Sequence, residues 1–531
     1  MSLGVDRHLD LGRDVGCPFR HPTIVNRTLE ENFKKIYLSI NSMTVTPYRA
    51  DCFQNHKELY QLLQIGKQRS IEKTYPQIVS ISQEISLLDP LAILQELAKP
   101  TQLQFYFEKP NKHQAIAAID AIEFVKLEGK NRFEDAQNFI ENCLNNCISK
   151  GSLDLPFSGM HFFCSFTFFE ETIANNSPFP AATIFLPRWQ VSRSETSSVL
   201  VANLKIEPHS NLEVILENFF SQLMLINWQK HQPINKIETL HNPAVKISDN
   251  AEQFKHSVTS AINSIQANQF RKIVLASTID FVSSLPFSAI SSLNNLRKCY
   301  PECNIFLTSN GQGKNFIGAS PERLISIRNS SLETDALAGS APRGKTPTED
   351  AKFAYRLMSS EKERREHQFV LNFIAECLSE LGLTPQMLPM PQLIKLPNIQ
   401  HLWTPIYTPL PSNLNPLAIV AKLHPTPAVA GVPTKAAQEQ IRNYETFDRS
   451  LYAAPLGWID HQGNSEFIVG IRSALIDTEL TCNHHYKNEQ LPYYVYCARL
   501  YAGAGIVAGS DPNKELAEIQ LKLQALSQAL F

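Results

Sequence analysis

The chain has 531 residues, 43% of them hydrophobic and 19% charged, with a formal net charge of -2. That composition is globular and long enough for one large domain or two to three smaller ones. The near-neutral balance gives no footing to nucleic acid or an anionic membrane as partner. No run approaches about 18 apolar residues, so no spanning helix is expected. Ten cysteines are scattered without a paired zinc spacing and read as reduced thiols of a reducing compartment.

Residues 1–42 carry acids (Asp6, Asp10, Asp14, Glu30, Glu31) and lack a secretory or clear transit pattern, so they read as a poorly ordered extension. Cytoplasm is the expected location, with plastid as the alternative. Asn26-Arg27-Thr28 is a glycosylation triplet by pattern only. Residues 43–245 read as a mixed α and β region. It has helical patterns at 55–64, 90–98 and 134–148, the last carrying Cys143 and Cys147 at i, i+4. Strand-like runs occupy 104–108 and 160–169, and 182–191 with 198–206 form a hairpin. The polar, proline-bearing stretch 230–248 is a candidate boundary. A second region, 250–528, opens on a helix at 250–267 capped by Asp249, with Glu252 three residues on. Strands, long helices and hairpins follow without regular βαβ alternation, which favours an α+β fold of layered antiparallel sheets flanked by helices. The proline- and leucine-rich stretch 386–416 is expected to wrap the surface. Cys482, His484 and His485 are a weak metal suggestion in a polar connection.

Two acidic helix patterns stand out. Glu363 with Glu366, and Glu515 with Glu518, are each spaced i, i+3 and so share a helical face. Counting back by four and seven from Val370 along the stripe Val370, Phe373, Ile374, Cys377 and Leu381 lands on Glu366 and Glu363. Carboxylates on a core-facing stripe are expensive unless a cation meets them. The second helix opens at Asp511-Pro512, a cap residue with proline at the first helical position. Four oxygens without nearby histidine or cysteine suit a hard cation, Mg2+ foremost. Two solvated acidic faces are the alternative.

Eight ordered segments carry a family resemblance: FRKIVLAS (270–277), IGASPERL (317–324), DALAGSAPRG (335–344), SEKERREH (360–367), QHLWTP (400–405), LHPTPAVAG (423–431), LYAGAGIVAGSDP (500–512) and KELAEIQLK (514–522). Together they resemble the chorismate-utilising enzymes, and among these the isochorismate synthases, over roughly residues 250–528. FLPRWQ (185–190) resembles the extra region of the larger quinone-pathway enzymes. The resemblance implies an isomerase acting on the small molecule chorismate, adding water at C2 and expelling the hydroxyl at C4, for quinone or salicylate-type pathways. Such a step needs a base, an acid and clamps for two carboxylates. A monomer or weak dimer is expected, and no amidotransferase segment is visible.

Lys272 is the candidate base. It enters an apolar strand, where burial lowers a lysine's pKa, and the ammonia-using anthranilate and aminodeoxychorismate synthases lack a lysine here. A snorkelling lysine is the alternative. Glu322, after a Gly-Ala-Ser-Pro turn, is the candidate acid, or else a turn glutamate paired with Arg323. Arg472, read inside a strand at 466–476, is the candidate carboxylate clamp, with a structural ion pair as rival. Tyr452 and Gly503 to Gly505 are expected to supply hydroxyl and backbone donors. Lys522 is aimed at the substrate by resemblance, and by spacing could equally pair with Glu518. Gly339 and Ser340 belong to the family's LAG(S/T) element, and His401 matches a histidine on the ring-hydroxyl side, or is a satisfied core histidine. Ala428 stands where salicylate synthases tend to carry threonine. By family position Glu366 and Glu518 bind Mg2+ directly, and Glu363 and Glu515 through water. Segment 477–492 is longer than the family's usual hairpin. A salicylate synthase, an ammonia-using synthase and a non-catalytic chorismate-binding protein remain as rival readings.

Overall fold

The computed structural model describes residues 56–171, 177–225, 244–247, 250–397, 399–411, 414–478, 481–482 and 494–530. The expectations for residues 1–42, the Asn26 triplet, the Asp249 cap, the Cys482-His484-His485 cluster and most of 477–492 lie outside the described residues.

The sheet branches at one strand, Ala182–Arg193, which contains the FLPRWQ segment. Its one edge pairs along its whole length with Gln114–Leu127. Its other edge is divided between His161–Phe166, beside the first half, and Ser198–Ile206, beside the second. The first limb continues through Leu103–Lys109, Asn304–Asn310, Lys314–Ser320, Ser473–Asp477 and Tyr494–Val507 to Lys272–Ser283. The second runs from His161–Phe166 through Pro455–Asp460, Ser465–Val469, Arg323–Arg328 and Ser331–Pro342 to Ile399–Pro409. Strands from both sides of the 230–248 stretch therefore pair within each limb. These ladders are antiparallel; Gln77–Ile85 with Cys147–Gly151 is parallel.

The strands are rich in β-branched and aromatic residues, and one contiguous apolar core runs through both limbs. The two acidic helices pack on different limbs. Glu361–Glu380 lies on Ser331–Pro342, and Pro512–Leu530 on Tyr494–Val507.

Three sequence expectations need correction. The 134–148 helix ends at Asn145, and Cys147 instead opens a strand that pairs with Gln77–Ile85. The 386–416 stretch does not simply wrap the surface, because Ile399–Pro409 is a strand of the second limb with Ile399, Leu402 and Ile406 buried. The 466–476 strand is two strands, Ser465–Val469 and Ser473–Asp477, broken where Arg472 takes a left-handed φ of 50°. Among the described residues no helix is long and apolar enough to cross a membrane.

Phe163 joins the limbs. It is fully buried on the second, with its ring centroid 5.0 Å from that of Phe105 on the first and 5.6 Å from that of Phe185 on the branching strand. Phe163→Ala should cost about 3–5 kcal/mol, read as a lower denaturant midpoint. An unchanged midpoint would show that the limbs do not depend on this packing.

Candidate active site

One pocket gathers Glu322, Gly339, Ser340, Glu366, His401, Ala428, Tyr452, Arg472, Gly503, Gly505, Glu518 and Lys522 on its wall. Lys272 and Glu363 are outside the lining but contact it, Lys272 through Glu366 and Glu363 through Ser340 N, and Glu515 meets Lys362 at 3.6 Å.

The helix Glu361–Glu380 is capped by Ser360, whose hydroxyl accepts from Glu363 N, and it buries His367, Val370, Ile374 and Cys377. That register turns Glu363 and Glu366 towards the pocket, as the spacing requires. Asp511 caps the second helix by accepting from Asn513 N and Lys514 N at 2.9 and 3.0 Å, and Glu515 is buried beside Ile519, Leu523 and Leu526.

Three glycines leave space that functional side chains fill. A Cβ on Gly505 would stand 2.5 Å from Glu366 Oε1 and 3.3 Å from Lys272 Cε. A Cβ on Gly503 would stand 2.7 Å from the Tyr452 hydroxyl. Gly339, at φ 81°, forms a bulge opposite His401 and Leu402, and a Cβ there would meet Glu363 Oε2 at 3.3 Å.

Lys272 is fully buried and its Nζ lies 2.8 Å from Glu366 Oε1. The contact has ion-pair distance without hydrogen-bond alignment, so the ammonium retains donor capacity. Burial excludes the snorkelling alternative. Lys522 realises both of its readings, lying 2.8 Å from Glu518 Oε1 and donating to Gly503 O at 2.8 Å.

Glu322 is 4% exposed, and burial pushes its carboxyl up to about 8. Arg323 does not neutralise it, because that guanidinium turns to Asp335 and Glu333. Arg472 has no carboxylate within ion-pair distance among the described residues, and burial lowers its pKa. Its Nη2 donates to His401 Nε2 at 3.2 Å. That nitrogen therefore carries no proton, so a neutral ring bears its proton on Nδ1, 2.9 Å from Ser340 Oγ. Burial, then Arg472 and Lys522, keeps His401 neutral, far below its ordinary value. Ser340 N in turn donates to Glu363 Oε2 at 3.1 Å, so Glu363, Ser340, His401 and Arg472 form one chain of contacts.

A family model described as chorismate binding enzyme matches residues 62–531. The chain belongs to the chorismate-binding enzymes. The salicylate biosynthesis isochorismate synthase of Pseudomonas aeruginosa is 31% identical over 88% of this chain and 92% of that protein. The isochorismate synthase MenF of Bacillus subtilis is 28% identical over 86% of this chain and 94% of that one. The solved structure of the menaquinone-specific isochorismate synthase MenF from Escherichia coli matches with a TM-score of 0.68 and 24% identity, covering 89% of this chain and 100% of that one. This last likeness bears out the layered α+β fold.

The Mg2+ implied for this chorismate-binding site can be weighed against the donor set. Burial, then the Glu366 carboxylate, pushes Glu363 up to about 7. Burial raises Glu515 as well. Burial also opposes the charge on Glu518, but Lys522 and the neighbouring lysines outweigh it and lower its pKa. An oxygen-only set suits a hard cation. Among the described residues no three acidic, thiol or imidazole groups form a finished cage. Glu366 is drawn to Lys272, Glu518 to Lys522, and Lys362 Nζ sits 3.9 Å from Glu363 and 3.6 Å from Glu515. The oxygen-only donor set is of the kind that suits Mg2+, and in this structure each of the four carboxylates is met by a lysine.

Sequence reasoning missed Lys362, Tyr501 and Arg449. Tyr501 stacks on Tyr452 at 5.2 Å between centroids, and it lies inside the LYAGAG segment that drew attention only to its glycines. Gly339→Ala should strain the bulge and crowd Glu363, costing about 1–3 kcal/mol. Thermal unfolding measures this, and a melting temperature equal to the native one would refute the need for glycine.

Proposed function

We propose that the chain is an isochorismate synthase, a Mg2+-dependent isomerase that converts chorismate to isochorismate for quinone or salicylate-type pathways. The named relatives support this reading. The observation that carries it is a buried carboxyl, Glu322, kept protonated at neutral pH within the field of a buried lysine, Lys272.

Lys272 acts as the base, taking a proton from the attacking water as the new bond forms at C2. The ring double bonds shift, the C4–O bond breaks, and Glu322 gives its proton to the departing hydroxide. One water enters and one leaves. Arg472 grips a substrate carboxylate, and His401 and Ser340 hold its guanidinium in place. Tyr452, Gly503 and Gly505 line the same pocket, and their hydroxyl and backbone N–H groups would serve as further donors. Lys522, fixed by Glu518 and Gly503 O, faces the substrate's other side. Ala428 presents a methyl group and no hydroxyl, which favours release of isochorismate over elimination of pyruvate. Bound Mg2+, held directly by Glu366 and Glu518 and through water by Glu363 and Glu515, would supply the charge that binds the ring carboxylate.

Chorismate turnover with Mg2+, products separated by chromatography, tests the reading. Isochorismate is the expected product, and Lys272→Ala should lower kcat by about a hundredfold to ten-thousandfold. Stoichiometric salicylate and pyruvate, or undiminished turnover by Lys272→Ala, would sink the respective assignment.

The pH profile probes Glu322. Its folded value near 8 lies above the usual carboxylate range, so the acid form is present below 8 and lost as pH rises. Above that pH, kcat/KM should fall by roughly tenfold per pH unit. Glu322→Gln should remove nearly all activity, and an alkaline limb that persists in its residual turnover would assign the titration to another group.

A further inference from the structure

A second cavity, about 700 Å³ in volume, opens beside the 424–435 segment. That volume lies within the range of ligand sites. Five basic side chains line it against two carboxylates, Glu170 and Glu439. Lys422 is paired with Glu380. Lys130, Arg132, Lys435 and Arg442 make no ion pair among the described residues.

Arg132 is the informative member. It is 4% exposed, donates one hydrogen bond to Thr167 O at 3.1 Å, and leaves its Nε without an acceptor. Glu128 and Glu170 influence its charge from beyond ion-pair distance, and burial lowers its pKa to about 10. A guanidinium this deeply buried is costly unless an anion meets it. Arg132 Cζ lies 5.0 Å from the Phe133 ring centroid, and Arg442 Cζ lies 4.4 Å from that of Phe169. Both cations thus stand on aromatic faces that also line the cavity.

This cavity and the catalytic pocket share a wall. His424 and Pro425 line the second cavity, while Ala428 and Val429 line the first. The fully buried Arg449 lies 4.4 Å from the Phe168 ring on one side and 5.8 Å from the Tyr452 ring on the other. It also donates to Val429 O and Val274 O, at 2.9 and 2.7 Å.

We infer that this cavity is a second ligand site for a small organic polyanion, one carrying two or more carboxylate or phosphate groups on an apolar ring or chain. Its occupancy is felt in the catalytic pocket through Arg449 and the 424–429 segment.

Isothermal titration calorimetry of the full chain with trimesate, a benzene tricarboxylate, and separately with pyrophosphate tests the site. Lys435 and Arg442 are exposed, so Lys435→Ala/Arg442→Ala should fold. At least one probe should bind the native chain, should still bind Arg472→Ala, and should lose about tenfold or more in affinity in the double variant. Trimesate alone would indicate a carboxylate source, and pyrophosphate alone a phosphate source. Binding of neither probe, binding unchanged in the double variant, or binding lost in Arg472→Ala overturns the site. In steady-state kinetics a saturating probe should move the KM for chorismate by about fivefold or more in the native chain and leave it unmoved in the double variant. Binding without that shift overturns the coupling. Calorimetry needs no turnover, so failure of the proposed reaction would not be mistaken for failure of this site.

Discussion

Burying an ammonium without an anion costs several kcal/mol, and removing one partner of a buried pair costs most of that again. Lys272 meets this constraint with a single carboxylate, Glu366. The two come from different limbs of the sheet: Lys272 opens the strand Lys272–Ser283, and Glu366 belongs to the helix on Ser331–Pro342. Their meeting fixes how closely the limbs approach at the pocket. It also dictates the neighbouring strand, because Gly505 is the position over which the pair must lie. Gly503, two residues earlier on the same face, makes the corresponding room for Tyr452. The glycine-rich stretch is therefore a floor shaped by the charges resting on it.

Charge across the pocket is uneven. Lys272 answers Glu366, Lys522 answers Glu518, and Lys362 is shared between Glu363 and Glu515. Two groups are left over: Arg472, which faces a neutral histidine, and Glu322, which burial keeps protonated. A cation without its anion beside an acid that holds its proton is an arrangement that welcomes a negatively charged substrate and can still donate a proton to it. An ion pair between Glu322 and Arg323 would have removed that acid. Asp335 and Glu333 prevent it by engaging the guanidinium on the other side of the strand.

Much of this was legible because helical spacing is a rigid ruler. The register of Glu363 and Glu366 follows from Val370, and the cap at Asp511 places Glu515 and Glu518. Arg472 was found for the right reason, an arginine among apolar neighbours, but its setting was misread. Nothing local announces a non-glycine residue at φ 50°, and that turn is stabilised by the carbonyl of Arg472 accepting from Ala319 N on another strand. Ile399–Pro409 was hidden by its prolines, which usually mark edges. Here Pro405 and Pro409 sit within a strand whose pairing with Ser331–Pro342 supplies the order that its own sequence discourages. Cys147 shows the same tertiary override, since pairing with Ile78 draws it out of the helical pattern.

Arg449 and Glu445 explain why the pocket wall holds its shape without regular pairing. Glu445 Oε1 accepts from Ala276 N at 2.7 Å, a backbone donor that would otherwise be left unmet. Arg449 closes the arrangement by bonding Glu445 and filling the carbonyls of Val274 and Val429. A buried i, i+4 pair of this kind resembles in sequence any surface salt bridge. Only the loss of solvent makes it obligatory, because either residue alone would leave a buried charge and several backbone groups unpaired. The pair thus converts three separate segments into a single rigid wall, against which Tyr452 and its stacked partner Tyr501 are held at the depth the pocket requires.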